Sequence, residues 1–170
     1  HGYGQSGDDL NIVRDHGPPK LTAEGKQFPF VLVSPQCPSG FYWRGNVIMG
    51  LIDQITENYS IDTTRIYLTG LSMGGYGTWQ ISHEYPERFA AIAPVCGGGL
   101  FVSPYFMERL KDLPVWAFRQ PVYRGGAPHS PRKARLNLCR CLATVSRQDL
   151  CFGTDLLLRW NRRASLTTLS

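Results

Sequence analysis

Gly70-Leu71-Ser72-Met73-Gly74 is the stretch whose residue types and spacing could do chemistry most directly. It is a G-x-S-x-G placed between an apolar run that reads as a strand and a segment that reads as a helix, and this context gives the pattern its meaning. Glycines are needed because the turn is too tight for neighbouring side chains. Ser72 is then pushed out at the carboxyl end of the strand, where open α/β sheets bind ligands. The N–H of Met73, at the helix start, points to the same place and can stabilise an oxyanion. The competing reading is a glycine-rich strand-to-helix turn without chemistry.

His1-Gly2-Tyr3-Gly4 is the second signal. An H-G-x-G segment after a strand supplies the other oxyanion N–H in many serine hydrolases. The donor would be Tyr3, and the strand leading to it would lie before residue 1. Alone the motif is equally a plain loop; paired with the G-x-S-x-G about 70 residues later it gains meaning.

These groups need elements to hold them. Phe30 to Ser34, closed by Pro35, reads as a buried strand. Val47, Ile48, Leu51, Ile52 and Ile55 recur at helical spacing up to Asn58. Arg65 to Thr69 is the next strand, Gly70 to Gly75 a turn, and Tyr76 to Tyr85 a helix stopped by Pro86. Phe89 to Val95 is a third strand, Tyr105 to Lys111 a short helix, and Pro114 to Phe118 a further strand. Strands alternating with helices imply an α/β fold with a mostly parallel sheet and helices on both faces.

Residues 1 to 118 resemble the middle of an α/β-hydrolase, and specifically bacterial esterases and predicted peptidases related to the prolyl oligopeptidase and phospholipase/carboxylesterase groups. The resemblance rests on Gly7-Asp8-Asp9-Leu10, His16-Gly17-Pro18-Pro19, Ser34-Pro35-Gln36-Cys37-Pro38, Arg65 through Gly75, and Pro86-Glu87-Arg88-Phe89-Ala90-Ala91-Ile92. Gln5-Ser6 stands where that family carries an acidic-arginine pair. The resemblance implies a partial α/β-hydrolase fold, truncated at both ends. It also implies ester hydrolysis through an acyl-enzyme on Ser72, with the Tyr3 and Met73 N–H groups as oxyanion hole. No metal or organic cofactor is implied. The substrate would be a small ester, or a short peptide if the chain is a peptidase of the same fold.

A serine hydroxyl is a poor nucleophile until an imidazole takes its proton and a carboxylate orients that imidazole. In this fold the order is Ser, acid, His. The resemblance puts the acid just after Pro114 to Phe118, and the His after one more strand. Neither is there. Past Phe118 the first acid is Asp149, and the only histidine, His129, precedes it. Asp112 sits at the wrong end of its strand, and His16 and His83 come too early; His83 is expected to face out from its helix or pack along it.

The charge changes at the same point. Residues 1 to 118 carry 8 basic and 11 acidic side chains, a net of −3, whereas residues 119 to 170 carry 10 and 2, a net of +8. Nine of those ten basic residues are arginine. A reading-frame shift near Phe118 covers the charge break, the arginine bias and the missing triad together. Codons for Arg119 through Gly126 can be chosen so that a one-base shift reads Ala-Asn-Pro-Tyr-Thr-Val-Val. The expected organisation is therefore a hydrolase core over 1–118 and a poorly ordered basic tail over 119–170 that does not complete the sheet in a packed, α/β-hydrolase manner. A catalytically inactive product is the alternative to a working esterase.

Other classes fare worse. The chain has 170 residues, one domain's length, and 42% hydrophobic residues, enough for a core. No run of about 18 apolar residues suggests a membrane span. Five cysteines are too scattered for a disulfide scaffold. Cys139, Cys141, Cys151 and His129 fit no common zinc spacing. The arginines lack the aromatic interleaving of a nucleic-acid surface, so none is expected as partner. Tyr42, Trp43 and Trp79 could line a substrate pocket or be plain core. Since the sequence opens on His1, a lost leading segment would carry any targeting signal, and both cytoplasmic and secreted locations stay open. Oligomeric state cannot be read.

Overall fold

The computed structural model describes residues 1–98, 104–118 and, as backbone, 156–160. Among the described residues, four strands form one sheet: β1 (Val31–Val33), β2 (Ile61–Leu71), β3 (Ala91–Val95) and β4 (Leu156–Trp160), in the order β1-β4-β2-β3. The helices are α1 (Gly17–Ala23), α2 (Gly45–Asn58), α3 (Met73–Glu84) and α4 (Pro104–Arg109). Short 3-10 segments cover Tyr3–Gln5, Leu10–Asp15 and Pro86–Arg88.

β2 and β3 run parallel, Tyr67 opposite Ala91 and Leu71 opposite Val95. Pro114 to Phe118 extends the parallel set beyond β3. The Ile92 amide donates to the Pro114 carbonyl, Trp116 to Ile92, Phe118 to Pro94 and Cys96 to Phe118, at 2.8–3.0 Å. The expected strand survives only as two bridges, Ile92 with Val115 and Val95 with Phe118. Pro94 explains the interruption: it sits where an N–H would bond the Trp116 carbonyl, and proline has none to give.

The sequence places a turn over Gly70 to Gly75 and starts the helix at Tyr76. The helix instead starts at Met73. Its glycines serve packing more than turning. A Cβ on Gly75 would strike the Val95 carbonyl and Gly97, and one on Gly77 would meet the Trp43 ring at 2.7 Å. Glycines thus let α3 settle against the end of β3 and onto Trp43.

The core lies between α2, α3 and the sheet. Ile48, Met49 and Ile52 come from α2, Ile66 and Leu68 from β2, Met73, Trp79 and Ile81 from α3, and Ile92 from β3. Burying each such side chain contributes roughly 1.5–3 kcal/mol. α4 leans on α3 through Phe106, whose ring stacks on His83 at 4.1 Å. Arg88 pairs with Asp53, tying the Pro86–Arg88 turn to α2.

Within the basic segment, Leu156–Trp160 lies between β1 and β2, antiparallel to both. Leu157 stands opposite Leu32 on one side and Tyr67 on the other. Two parallel strands one strand-width apart leave two rows of unpaired backbone groups facing each other, and the apolar run Leu156-Leu157-Leu158 supplies partners for both. Residues 119–155 and 161–170 lie outside the described residues. The expectations for His129, Asp149, Cys139, Cys141, Cys151 and most of the arginines fall there.

Candidate active site

Ser72 occupies the single residue between β2 and α3, with φ 54° and ψ −112°. A non-glycine residue held at positive φ is strained by roughly 1–3 kcal/mol and needs surroundings that over-determine it. Those are present. The Ser72 amide donates to the Val95 carbonyl at 2.8 Å, and the Tyr76 amide donates to the Ser72 carbonyl at 3.0 Å. A Cβ on Gly70 would collide with the Gly74 backbone and the Thr78 hydroxyl, so strand and helix close directly on each other. Met73 is the first residue of α3, and its N–H therefore has no acceptor within the helix.

The opening segment comes to the same place. Gly2 lies against Ser72: a Cβ on Gly2 would stand 3.6 Å from the serine Cβ and 3.8 Å from the Leu71 carbonyl oxygen. Tyr3 follows in a 3-10 turn closed by the Gln5 amide on the Gly2 carbonyl, 3.2 Å, with its own side chain 62% exposed. Gly2 and Ser72, from two motifs about 70 residues apart, are thus brought together, with Tyr3 next in chain to the one and Met73 to the other.

What clamps this opening loop was not legible as function in the sequence. The segment after β1 does it. The Gln36 side-chain amide donates to the carbonyls of Gln5 (2.9 Å) and Asp9 (3.0 Å), and the Gly7 amide donates to the Cys37 carbonyl (3.0 Å). The Cys37 amide donates to Nε2 of His1 at 2.8 Å. The signal in the sequence is the Ser34 to Pro38 stretch itself, which carries part of the family resemblance. Cys37 is buried, and burial pushes its thiol up, away from reactivity.

Three imidazoles are described, and none hydrogen-bonds Ser72 among the described residues. His1 has both ring nitrogens committed, Nδ1 to the Gly2 carbonyl and Nε2 to the Cys37 amide. His16 shares a small cavity with His1, Gly2, Gln5, Val13, Pro19 and Leu71. His83 lies three turns along α3 from Ser72, some ~16 Å away by helix rise. It packs on Phe106 instead of facing out. Burial first, then the nearby Arg109 charge, hold its pKa below the ordinary imidazole value. Trp43 and Trp79 are core: both are buried, and the Trp79 indole N–H donates to the Gly97 carbonyl at 3.1 Å. Tyr42 is 72% exposed. No group of three His, Cys, Asp or Glu is placed to hold a metal among the described residues. No helix among them is long and apolar enough to cross a membrane.

Three curated proteins and one solved structure are similar to parts of this chain. The chain is 35% identical over 94 residues to poly(3-hydroxyalkanoate) depolymerase C of Paucimonas lemoignei, covering 45% of this chain and 23% of that protein. It is 43% identical over 51 residues to the bifunctional acetylxylan esterase/xylanase XynS20E of Neocallimastix patriciarum, covering 30% of this chain and 8% of the other. It is 30% identical over 95 residues to a probable acetylxylan esterase A of Neosartorya fischeri, covering 46% and 26%. A crystal structure of a thermostable esterase superposes with a TM-score of 0.51 at 32% identity, covering 69% of this chain and 36% of that one. No family model matches the chain. The chain spans about a quarter or less of the length of these curated relatives. The fold is a partial α/β-hydrolase fold, and the similar proteins are named as esterases and a depolymerase.

Proposed function

We propose that the chain carries the nucleophile half of a serine esterase, with Ser72 as nucleophile and the Tyr3 and Met73 amides as oxyanion donors. The observation that carries this is the closeness of the Gly2 backbone to Ser72 at a strained strand-to-helix turn. In the reaction Ser72 Oγ adds to the acyl carbonyl while its proton passes to a base. The carbonyl electrons move onto the oxygen facing the two amides; they return as the C–O bond to the alcohol breaks, and the alcohol leaves with the proton. Water then cleaves the acyl-enzyme by the same steps. Each preorganised amide is worth on the order of 10²–10³ in rate.

The relatives named as depolymerase and acetylxylan esterases favour an ester over a peptide bond, and a carboxylic ester with a small acyl group is the proposed substrate class. The narrower kinship with prolyl-oligopeptidase-like and phospholipase/carboxylesterase proteins rests on the motif stretches quoted above. The missing base and acid support a second reading, in which this chain turns over poorly or not at all: no imidazole reaches Ser72 among the described residues. Labelling with a fluorophosphonate probe tests both. Slow labelling that Ser72→Ala abolishes supports a Ser72 esterase site without its base. Labelling that survives Ser72→Ala overturns the assignment.

A further inference from the structure

The indole N–H of Trp43 is buried and has no hydrogen-bond partner among the described residues, and the residue as a whole is 8% exposed. Trp43 lines a cavity of about 30 Å³ between α2, α3 and β2. Gly77 lines the same cavity, and a Cβ placed on it would stand 2.7 Å from Cδ1 of the indole. Nε1 is bonded to Cδ1, so the N–H edge of the ring lies on the cavity side, against α3. Ile48 and Leu51 of α2, Leu68 of β2 and Ile81 of α3 wall the space with carbon. Two threonines also line it, Thr69 at 6% exposure and Thr78 at 2%. Each hydroxyl has given its single proton away, Thr69 to the Ala93 carbonyl at 2.6 Å and Thr78 to the Gly74 carbonyl at 2.8 Å. What remains on each oxygen is a lone pair that can only accept.

These three polar groups suit one kind of molecule. It must accept from the Trp43 N–H and donate to a threonine oxygen. A carbonyl or ether does only the first, and an ammonium group only the second. Water does both, and a cavity needs only about 10–15 Å³ to take one water. The carbon walls give a second water too few partners. We propose that the cavity between α2, α3 and β2 is a binding site for one ordered water, which accepts from the Trp43 indole N–H and donates to the hydroxyl oxygen of Thr69 or Thr78. A buried donor left bare carries the whole cost of its desolvation, and the water removes that cost. It also links the segment between β1 and α2, where Trp43 stands, to β2 or α3, the two elements that meet at Ser72. The site does not depend on the esterase reading, since none of its residues has a part in that chemistry.

Magnetisation transfer from water to the full chain, labelled with ¹⁵N in its four tryptophans, tests this. The Trp43 indole proton is identified by its contacts with the Gly77 α-protons. Water should give a cross-peak to that proton whose sign reverses between laboratory-frame and rotating-frame experiments. The reversal marks the dipolar contact of a held water; proton exchange shows none. The cross-peak should persist in Thr69→Val and in Thr78→Val, because each variant leaves one accepting oxygen. Dissolved xenon, which enters dry apolar cavities, should leave the methyl signals of Ile48 and Ile81 where they are. No cross-peak, or one whose sign does not reverse, overturns the proposal. So does its loss in either valine variant, which would mark transfer relayed through a threonine hydroxyl. A saturable xenon shift of those methyl groups shows a dry cavity and overturns it too. Should neither valine variant fold, the sign in wild type and the xenon shifts decide the matter.

Discussion

Gly2 and Ser72 are in contact across about 70 residues of sequence, their Cβ positions 3.6 Å apart once a Cβ is placed on the glycine. In the proposed site the amide that follows Gly2 in the chain, that of Tyr3, is one of the two oxyanion donors. Any side chain at residue 2 would point at the serine. Gly2→Val is expected to slow Ser72 labelling by about a hundredfold, the scale of one lost oxyanion donor. The probe rate, compared with wild type at equal folded fraction by circular dichroism, checks it.

The turn at Ser72 stores strain that function would require and stability would not. Its φ of 54° suits glycine. Ser72→Gly should abolish labelling and raise unfolding free energy by about 1 kcal/mol, whereas Ser72→Ala should abolish labelling with no such gain. Urea denaturation separates the two. Equal stability of the glycine and alanine variants would show that the turn is not strained.

Two other glycines are expected to behave oppositely. A Cβ on Gly70 meets backbone at Gly74, and one on Gly75 meets the Val95 carbonyl. Backbone cannot move aside as a flexible side chain can. Gly70→Ala and Gly75→Ala should each lower stability by about 2 kcal/mol or more. Gly50, with open space around it on α2, should gain several tenths when changed to alanine.

How much of this was legible in the sequence depends on the range of the signal. β1, α2, β3 and the elbow are local patterns of apolar spacing and glycine, and each is found within a few residues of where the sequence puts it. The start of α3 was not, because Gly74 and Gly75 read as turn residues when they are in fact contact residues. Pro94's effect on Pro114 to Phe118 needs the register of two strands before it can be seen. His1 was read only as part of an H-G-x-G; its partners Cys37 and Trp43 lie far along the chain, and no periodicity links them. The place of Leu156–Trp160 depends on a slot between β1 and β2 that exists only in the assembled sheet.

Stability should fall on the acid side of neutrality for an identifiable reason. Burial lowers the His1 pKa, opposed by its bond to the Gly2 carbonyl, and burial followed by Arg109 lowers that of His83. Both groups are more basic in the unfolded chain, which therefore binds protons more readily. Their contribution is complete above the ordinary imidazole value of about 6.5 and is lost as pH falls below it through the folded values. The urea midpoint should drop between pH 7.5 and 5, and His1→Gln, which cannot titrate, should flatten part of that slope. A midpoint constant across this range would contradict the buried neutral state of both rings.

The last expectation concerns β4. An interior strand bonds on both edges, so proline within it removes a donor that no solvent molecule replaces and imposes a φ the ladder does not use. Leu157 stands in the middle of β4, opposite Leu32 and Tyr67. Leu157→Pro should cost about 3 kcal/mol or more, or abolish cooperative unfolding, whereas Leu157→Val keeps every backbone group and should cost far less. The comparison separates a paired strand from an apolar run merely lying nearby, because both variants reduce apolar volume and only one breaks the ladder. Equal denaturation midpoints for the two would remove Leu156–Trp160 from the sheet. The row between β1 and β2 would then need a different strand.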